Sequence, residues 1–512
     1  MCGFLISNCA GSASAFARAF QGMSYRGPDS CSIVPDFDGY SIGCCRLAII
    51  GDLERANQPM ADPTGKCVLA FNGEIYNYAE LANRYGLVLE TNSDTELLLR
   101  LFLLKGIECV TELNGMFAFV IVDKARHRVF AARDRLGTKP LFKWQKGQSL
   151  VLSSEVHPIL DLIGGAQPDD FSIRQYRAMR GVFNGRTFYR DISSFPTGCY
   201  WDGETYTPYW KLEKQFDEAP TRDELRSLVD SAISYRMVAH VEVGGFLSGG
   251  LDSTITAMVS GIRSTWCTGF EADPDFAVAR RVANEKGFTH REVVVDREAF
   301  LDAVETMVRV RREPLCVPNE VMLYLAARDV RRAGIKCTLS GEGADELFGG
   351  YDRIFSWADS AEWFDVGTFA DYYCYGNADD LEVVEDAVAP FVRYGEPYLI
   401  VSAFFQIAHL ARLLHRLDLA TMLASVEGRE PFADFRLVER LFGLPMSYKH
   451  SVRGNKTPLK DAYDDVVPGY VLERTKRGFP APLSQVFNDS RGHKPGYTAW
   501  FDHNLKILGW LH

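Results

Sequence analysis

The 512-residue chain carries a net charge of −11, with 47% hydrophobic and 24% charged residues. Those are globular proportions in a chain too long for one ordinary core, so two or three domains are expected. The acidic balance argues against nucleic-acid partners, which need a basic surface, and no stretch approaches the roughly 18 uninterrupted apolar residues of a membrane span. No secretory pattern opens the chain, and its twelve cysteines include no CxxC pair; the expectation is a cytoplasmic protein with reduced thiols, no zinc and no membrane partner.

The chain opens MCGFLISN. Cys2 is small enough for removal of the initiator methionine to be routine, which leaves a residue with both a thiol and a free α-amine. An α-amine titrates near pH ~7.7–8.0 and a thiol near ~8.5, so the amine can take the thiol's proton. Cys2 is equally an ordinary small residue at the start of a strand, and position alone does not choose. The runs YSIGCCRLAII, KCVLAFNGEIYN, MFAFVIVD, HRVFAARD and SLVLSSEV, separated by Gly, Asp, Asn and Pro, predict strands. DTELLLRLFLLKG predicts a helix closed by glycine. FPTGCYWDGETYTPYWKL, rich in Pro, Gly and aromatic residues, marks a boundary, giving an α+β domain over 1–208.

From residue 209 to 512 the rhythm changes. TRDELRSLVDSAISYRMV reads as helix, VEVGGFLS as strand, STITAMVSGI as helix, STWCTGF as strand, FAVARRVANEKG as helix and HREVVV as strand. EVMLYLAARDVRRAG is helix again and IKCTLSG strand. Alternation of this kind predicts an α/β domain with a parallel sheet. Past about Tyr351 the pattern becomes mainly helical, including IAHLARLLHRLDLATMLAS, a helical C-terminal extension.

GGFLSGGLDSTIT is a strand entering a glycine turn and then a helix. Gly249 and Gly250 let backbone N–H groups approach an anion, and the helix start adds its dipole. Ser248 and Ser253 offer hydroxyls to phosphate oxygens, and Asp252 a carboxylate to magnesium. No lysine follows the glycines, so this is not the GxxxxGK[ST] loop. SGGxDS instead resembles the loop of ATP pyrophosphatases, which split ATP between its α and β phosphates and adenylate a carboxylate or carbonyl oxygen. A plain glycine turn is the bland alternative. TLSGEGADELFGGY ends another strand and places Ser340, Gly341, Asp345 and Glu346 at the carboxyl edge of the sheet, where ligands of open α/β folds bind. Acids beside a phosphate site call for a metal, with Asp252 and Asp345 as its candidate ligands.

With both stretches in hand, the chain resembles the glutamine-dependent asparagine synthetase family over nearly its whole length. The resemblance implies an N-terminal-nucleophile (αββα) glutaminase domain, an ATP-pyrophosphatase synthetase domain, and ammonia passing between them through an internal channel. It implies ATP and Mg2+ as cofactors, glutamine and a small carboxylate as substrates, and it allows a homodimer. Cys2 falls on the family nucleophile. YRGPDS (Arg26 to Ser30) and RLAII (Arg46 to Ile50) match family segments, FNGEIYN supplies Asn72, Gly73 and Glu74, and NSDTE supplies Asp94. Asn72 and the Gly73 backbone suit an oxyanion hole; Arg46 suits the α-carboxylate of glutamine, and Glu74 and Asp94 its α-ammonium. Leu247, Thr268, Ser340 and Gly341 fall on positions that hold ATP, together with the loop residues above. Glu342 matches the glutamate used around the acyl-adenylate and ammonia. Lys456 falls on the lysine that stabilises the intermediate, with Lys460 close enough in sequence to exchange with it. EGREPFADFRLV and KRGFPAPL match family signatures without an assigned chemistry.

L-Aspartate is the expected acceptor. Another carboxylate, a sugar acid or natural-product intermediate, is the main alternative, because RREPLCVPNEVMLYLAAR departs from the family pattern and FADYYCYGNADD has no derived role. A β-lactam synthetase-like ring closure would drop the cysteine and replace Glu342 by tyrosine, and a binding protein with dead sites would lose some of these residues. Both Cys2 and Glu342 are present.

Overall fold

The computed structural model describes the chain except residues 1, 10, 53, 375–377, 452, 453, 476, 480, 488–492 and 512, and the side chains of 493–495. Part of the FADYYCYGNADD run and two residues of KRGFPAPL therefore lie outside the described residues.

Strands between Cys2 and Pro208 form two six-stranded sheets in which every neighbouring pair is antiparallel. One carries Cys2–Ser7 between Tyr40–Arg46 and Ser149–Ser153. The other carries Cys67–Ile75 beside Gly115–Asp123 and Arg128–Arg133. Both faces of each sheet are covered, so all nine residues of Cys67–Ile75 are buried and the strand reads as a continuous apolar run. Between the sheets Phe4, Ile6, Ile42 and Leu152 meet Val68, Val120, Val122 and Ala131. Outside the first sheet, Leu5, Cys45 and Val151 share a core with Phe16, Phe20, Val156 and Ile159 from two helices. Outside the second, Leu69, Phe71, Phe119 and Ile121 share one with Leu97, Leu98 and Leu101 of the helix Asp94–Lys105. Helices thus lie on both outer faces of a two-sheet sandwich.

The second half is built on a five-stranded parallel sheet in the order Thr289–Val295, Ser264–Phe270, Val243–Phe246, Cys337–Leu339, Glu427–Arg429. Four of these strands match the sequence reading. The fifth falls where helix is expected: three residues, Glu-Gly-Arg, whose charged side chains are fully buried and paired with each other. Extending the helical side, Pro397–Met422 is one helical run long and apolar enough to cross a membrane by length and composition, with more than half of its apolar window buried inside the protein. Its inner residues Arg412, Arg416 and Asp418 all bond to other segments. It is packed as a core helix, with a π-helical stretch at Phe404–His409.

Candidate active sites

The first site forms where the two antiparallel sheets meet. The Cys2 backbone nitrogen, which would be the α-amine of a chain lacking Met1, donates to Asn72 Oδ1 at 3.1 Å. Cys2 is only 4% exposed. Burial pushes its thiol pKa up, while nearby positive charge, Arg46 included, pulls it down. Asn72 lies on the strand Cys67–Ile75 with its Nδ2 buried and without a partner among the described residues. A buried amide N–H left unmade costs roughly 1–3 kcal/mol, and an oxyanion arriving at Cys2 would satisfy it. Gly73 has φ 149° and a Cβ there would lie 2.0 Å from the Met116 carbonyl oxygen, so the close pairing of the two strands demands glycine.

Glu74 and Asp94, both buried, complete the pocket. Asp94 accepts N–H groups from Ile75 at 2.9 Å and Thr95 at 2.8 Å. Burial raises the pKa of both acids; at Glu74, Glu427 and Asp94 add to it. Arg46 pairs in register with Cys2 and holds the carbonyls of Ile50 at 3.0 Å and Asp52 at 3.2 Å, which shapes the loop around the pocket. Two neighbours carry no role in the sequence reading. Gln58 donates from Nε2 to Cys2 Sγ at 3.4 Å and accepts the Phe71 N–H at 2.7 Å. Arg26 donates from Nε to the Cys2 carbonyl at 3.1 Å. Arg26 belongs to a quoted motif, whereas nothing in the sequence around Gln58 signals its contact with the thiol.

The second site lies at the carboxyl edge of the parallel sheet. After Val243–Phe246 the chain turns through Gly249, φ 71°, where a Cβ would lie 2.8 Å from Val278. It enters the helix Leu251–Ser260 at Gly250 with no side-chain cap, leaving the first N–H groups of the helix open to an anion. The Ser248 and Ser253 hydroxyls lie 3.0 Å apart. Ser340 and Gly341 come alongside from the next strand: a Cβ on Gly341 would lie 2.9 Å from the Ser253 nitrogen and 3.0 Å from Asp252 Cβ. Thr268 sits at the rim, its hydroxyl donating to the Val293 carbonyl at 3.2 Å. Leu247 has a fully buried side chain and its nitrogen bonds to the Trp266 carbonyl, so only its carbonyl remains as a polar group for a nucleotide.

Lys456 closes this site. Its buried ammonium lies 2.5 Å from Asp252 Oδ2 and 2.5 Å from Asp345 Oδ1; Lys460 lies half-buried on the following helical turn beside Gly454. The two aspartates therefore converge on one point and supply hard oxygen donors. Two protein carboxylates suit a magnesium ion that keeps waters and takes phosphate oxygens for the rest of its shell. Glu346 points elsewhere: its Oε1 accepts from the Tyr351 hydroxyl at 2.6 Å and lies 3.6 Å from His409, and burial raises its pKa to about 7. Glu342 pairs with Arg416, whose Nη1 donates to Asn319 Oδ1 at 3.0 Å. Arg474, unassigned in sequence, donates to the Gly249 carbonyl at 3.2 Å and pairs with Asp275, bringing a cation to the back of the glycine loop.

A buried ionic cluster links the sites. Arg26 pairs with Glu155 at 2.7 Å and with Asp418 at 2.8 Å, and Lys139 reaches Asp418 at 3.0 Å. Burial pushes the Asp418 pKa up, but Arg26 and Lys139 more than reverse it. Arg416, on the same helix as Asp418, holds Glu342.

A family model described as asparagine synthase matches residues 224–495, and one described as a glutamine amidotransferase domain matches residues 1–210. With the two sites above, these matches define an ATP-dependent, glutamine-hydrolysing ligase. A putative glutamine-hydrolysing asparagine synthetase of Mycobacterium bovis is 31% identical over 93% of this chain and 85% of its own length. Asparagine synthetase 3 of Bacillus subtilis is 29% identical over 95% of this chain and 85% of its length, and the mouse enzyme is 28% identical over 91% and 81%. The chain belongs to the glutamine-hydrolysing asparagine synthetase family.

Proposed function

We propose that the protein converts L-aspartate to L-asparagine, with Cys2 as the glutaminase nucleophile and the loop Ser248–Ser253 as the ATP site, the two halves dividing near residue 208. The observation that carries this reading is Lys456 set between Asp252 and Asp345 against the glycine loop, in a chain whose other half holds a buried cysteine against an amide N–H with no partner among the described residues.

In the glutaminase half, Cys2 Sγ attacks the glutamine amide carbon and its proton passes through the freed α-amine to the departing ammonia. Asn72 Nδ2 and the Gly73 N–H receive the oxyanion, and Arg46, Glu74 and Asp94 hold the substrate's own carboxylate and ammonium. Water then hydrolyses the thioester and releases glutamate. In the other half, an acceptor carboxylate oxygen attacks the α-phosphorus of ATP and pyrophosphate leaves. The loop N–H groups, Ser248, Ser253, Ser340 and Gly341 bind the phosphates, Leu247 and Thr268 flank the nucleotide, and Lys456 offsets negative charge. Asp252 and Asp345 would hold magnesium, which when bound neutralises the charge of the leaving pyrophosphate. Ammonia attacks the adenylate, Glu342 takes the proton, and amide and AMP leave.

A small dicarboxylic acceptor is supported by Arg416. It bonds to Glu342 and keeps a buried Nε–H with no partner among the described residues. Twelve unbridged cysteines suit a reducing, cytoplasmic setting. The test is pyrophosphate release with ATP, magnesium and ammonium, with and without L-aspartate. Aspartate-dependent release with asparagine formed is the expected result. A response only to some other carboxylate would replace the acceptor while leaving the reaction class standing.

A further inference from the structure

At the seam between the halves lies a small cavity walled by Tyr76, Met116, Arg135 and Leu136 from one side and by Arg236 and Glu430 from the other. The space at its centre, about 10 Å3, takes one molecule the size of water, which is also the size of ammonia. Most charged groups around it are already satisfied. Asp134 accepts N–H groups from Phe117, Leu136, Thr138 and Lys139. Asp434 is paired with Arg236 and Arg436, and Asp418 with Arg26 and Lys139. Arg135 and Glu430 are the exceptions: Arg135 Nε and the Oε1 of Glu430, itself 3% exposed, are buried with no hydrogen-bond partner among the described residues, and of the two only the carboxyl can give up and take back a proton.

The position of Glu430 connects the two centres. Its neighbour Arg429 comes within 3.9 Å of Glu74 in the glutamine pocket, and the cavity wall residue Met116 pairs in register with Glu74. On the other side the Arg429 carbonyl accepts the Ser340 N–H at 2.8 Å, beside Glu342. We infer that Glu430 is a proton-exchanging binding station for the ammonia that moves from Cys2 to the adenylate, an assignment that rests on the two-site reading above. Burial raises the Glu430 pKa to about 8, with Lys139 and Arg236 pulling it down and Asp418 and Glu342 pushing it up. The acid is therefore neutral at neutral pH and donates its O–H to the lone pair of arriving ammonia. Transfer of that one proton gives a carboxylate beside an ammonium ion. Its return restores the acid and frees the lone pair for attack, and no other bond forms or breaks.

Infrared difference spectra of wild type and Glu430→Gln at pH 7 test this directly. A protonated-carboxyl C=O band is expected in wild type, missing from the variant, and lost on adding ammonium chloride but kept in potassium chloride. In parallel, 15N-amide glutamine is turned over by wild type, Glu430→Gln and Glu430→Leu with ATP, magnesium and aspartate. The amide formed per glutamate released should fall about fivefold in both variants, as losing one buried hydrogen bond implies. No ammonium-sensitive carboxyl band, or an unchanged ratio in both variants, overturns the inference. A wild type that ignores aspartate would refute the acceptor assignment instead, and the infrared arm would still report on Glu430.

Discussion

At the scale of single residues, the chemistry rests on side chains left with something to do. Asn72 Nδ2 is one, buried without a partner among the described residues next to a cysteine whose own nitrogen bonds to the same side chain. If Cys2 is the nucleophile, Cys2→Ala abolishes amide formation from glutamine and leaves amide formation from ammonium chloride intact; side-by-side assays with the two nitrogen sources check it, and unchanged use of glutamine would remove Cys2 from the role. The sequence offers Cys2, Asn72, Glu74, Asp252 and Lys456 as candidates because each lies in a contiguous motif with a recognisable pattern of glycine, acid and amide. It does not offer Gln58, Arg416, Arg474 or Glu430. Each is placed by segments far away in the chain, as Arg416 is held against Glu342 and Asn319, and local composition carries no trace of that.

At the scale of elements, the two strand–turn–helix corners behave as one device. Gly341 is pressed against the start of the helix Leu251–Ser260 so closely that a methyl group would meet the Ser253 nitrogen at 2.9 Å. Gly341→Ala must displace backbone rather than a flexible side-chain end. A shift approaching 1 Å at a reacting centre costs on the order of 100-fold in rate, so aspartate-dependent pyrophosphate release should fall by that order while glutamate release from glutamine persists. Equal loss of both activities would indicate general unfolding and not a displaced loop. The corners themselves follow from alternating apolar strands and amphipathic helices, which is why four of the five parallel strands could be read in advance. Glu427–Arg429 could not, since a three-residue strand of two buried charges and a glycine has no β-pattern; it exists because Cys337–Leu339 offers an open ladder edge and because Glu427 and Arg429 neutralise each other.

At the scale of the whole molecule, the halves are joined by charges that water does not reach. Arg26, Glu155, Lys139 and Asp418 all have side chains 3% exposed or less. Removing one member of such a cluster leaves its partners buried and unpaired, a loss of roughly 3–5 kcal/mol. Asp418→Ala should therefore lower the calorimetric melting temperature markedly and lower the amide formed per glutamate released; an unchanged melting temperature would show that the cluster contributes nothing to joining the halves. The change from antiparallel sheets to a parallel one beyond Pro208 accompanies the change in strand and helix rhythm, but the seam was not legible, because its members stand far apart in the chain, from Arg26 to Asp418. The same cluster also limits how the molecule can be recombined. A chimera that took its second half from a relative would bring Arg26 and Lys139 against whatever stands at position 418, and one lacking the acid would bury two cations face to face. The halves can therefore be exchanged between lineages only if this small set of residues travels with them, which makes a domain boundary that looks modular in sequence a matched pair in inheritance.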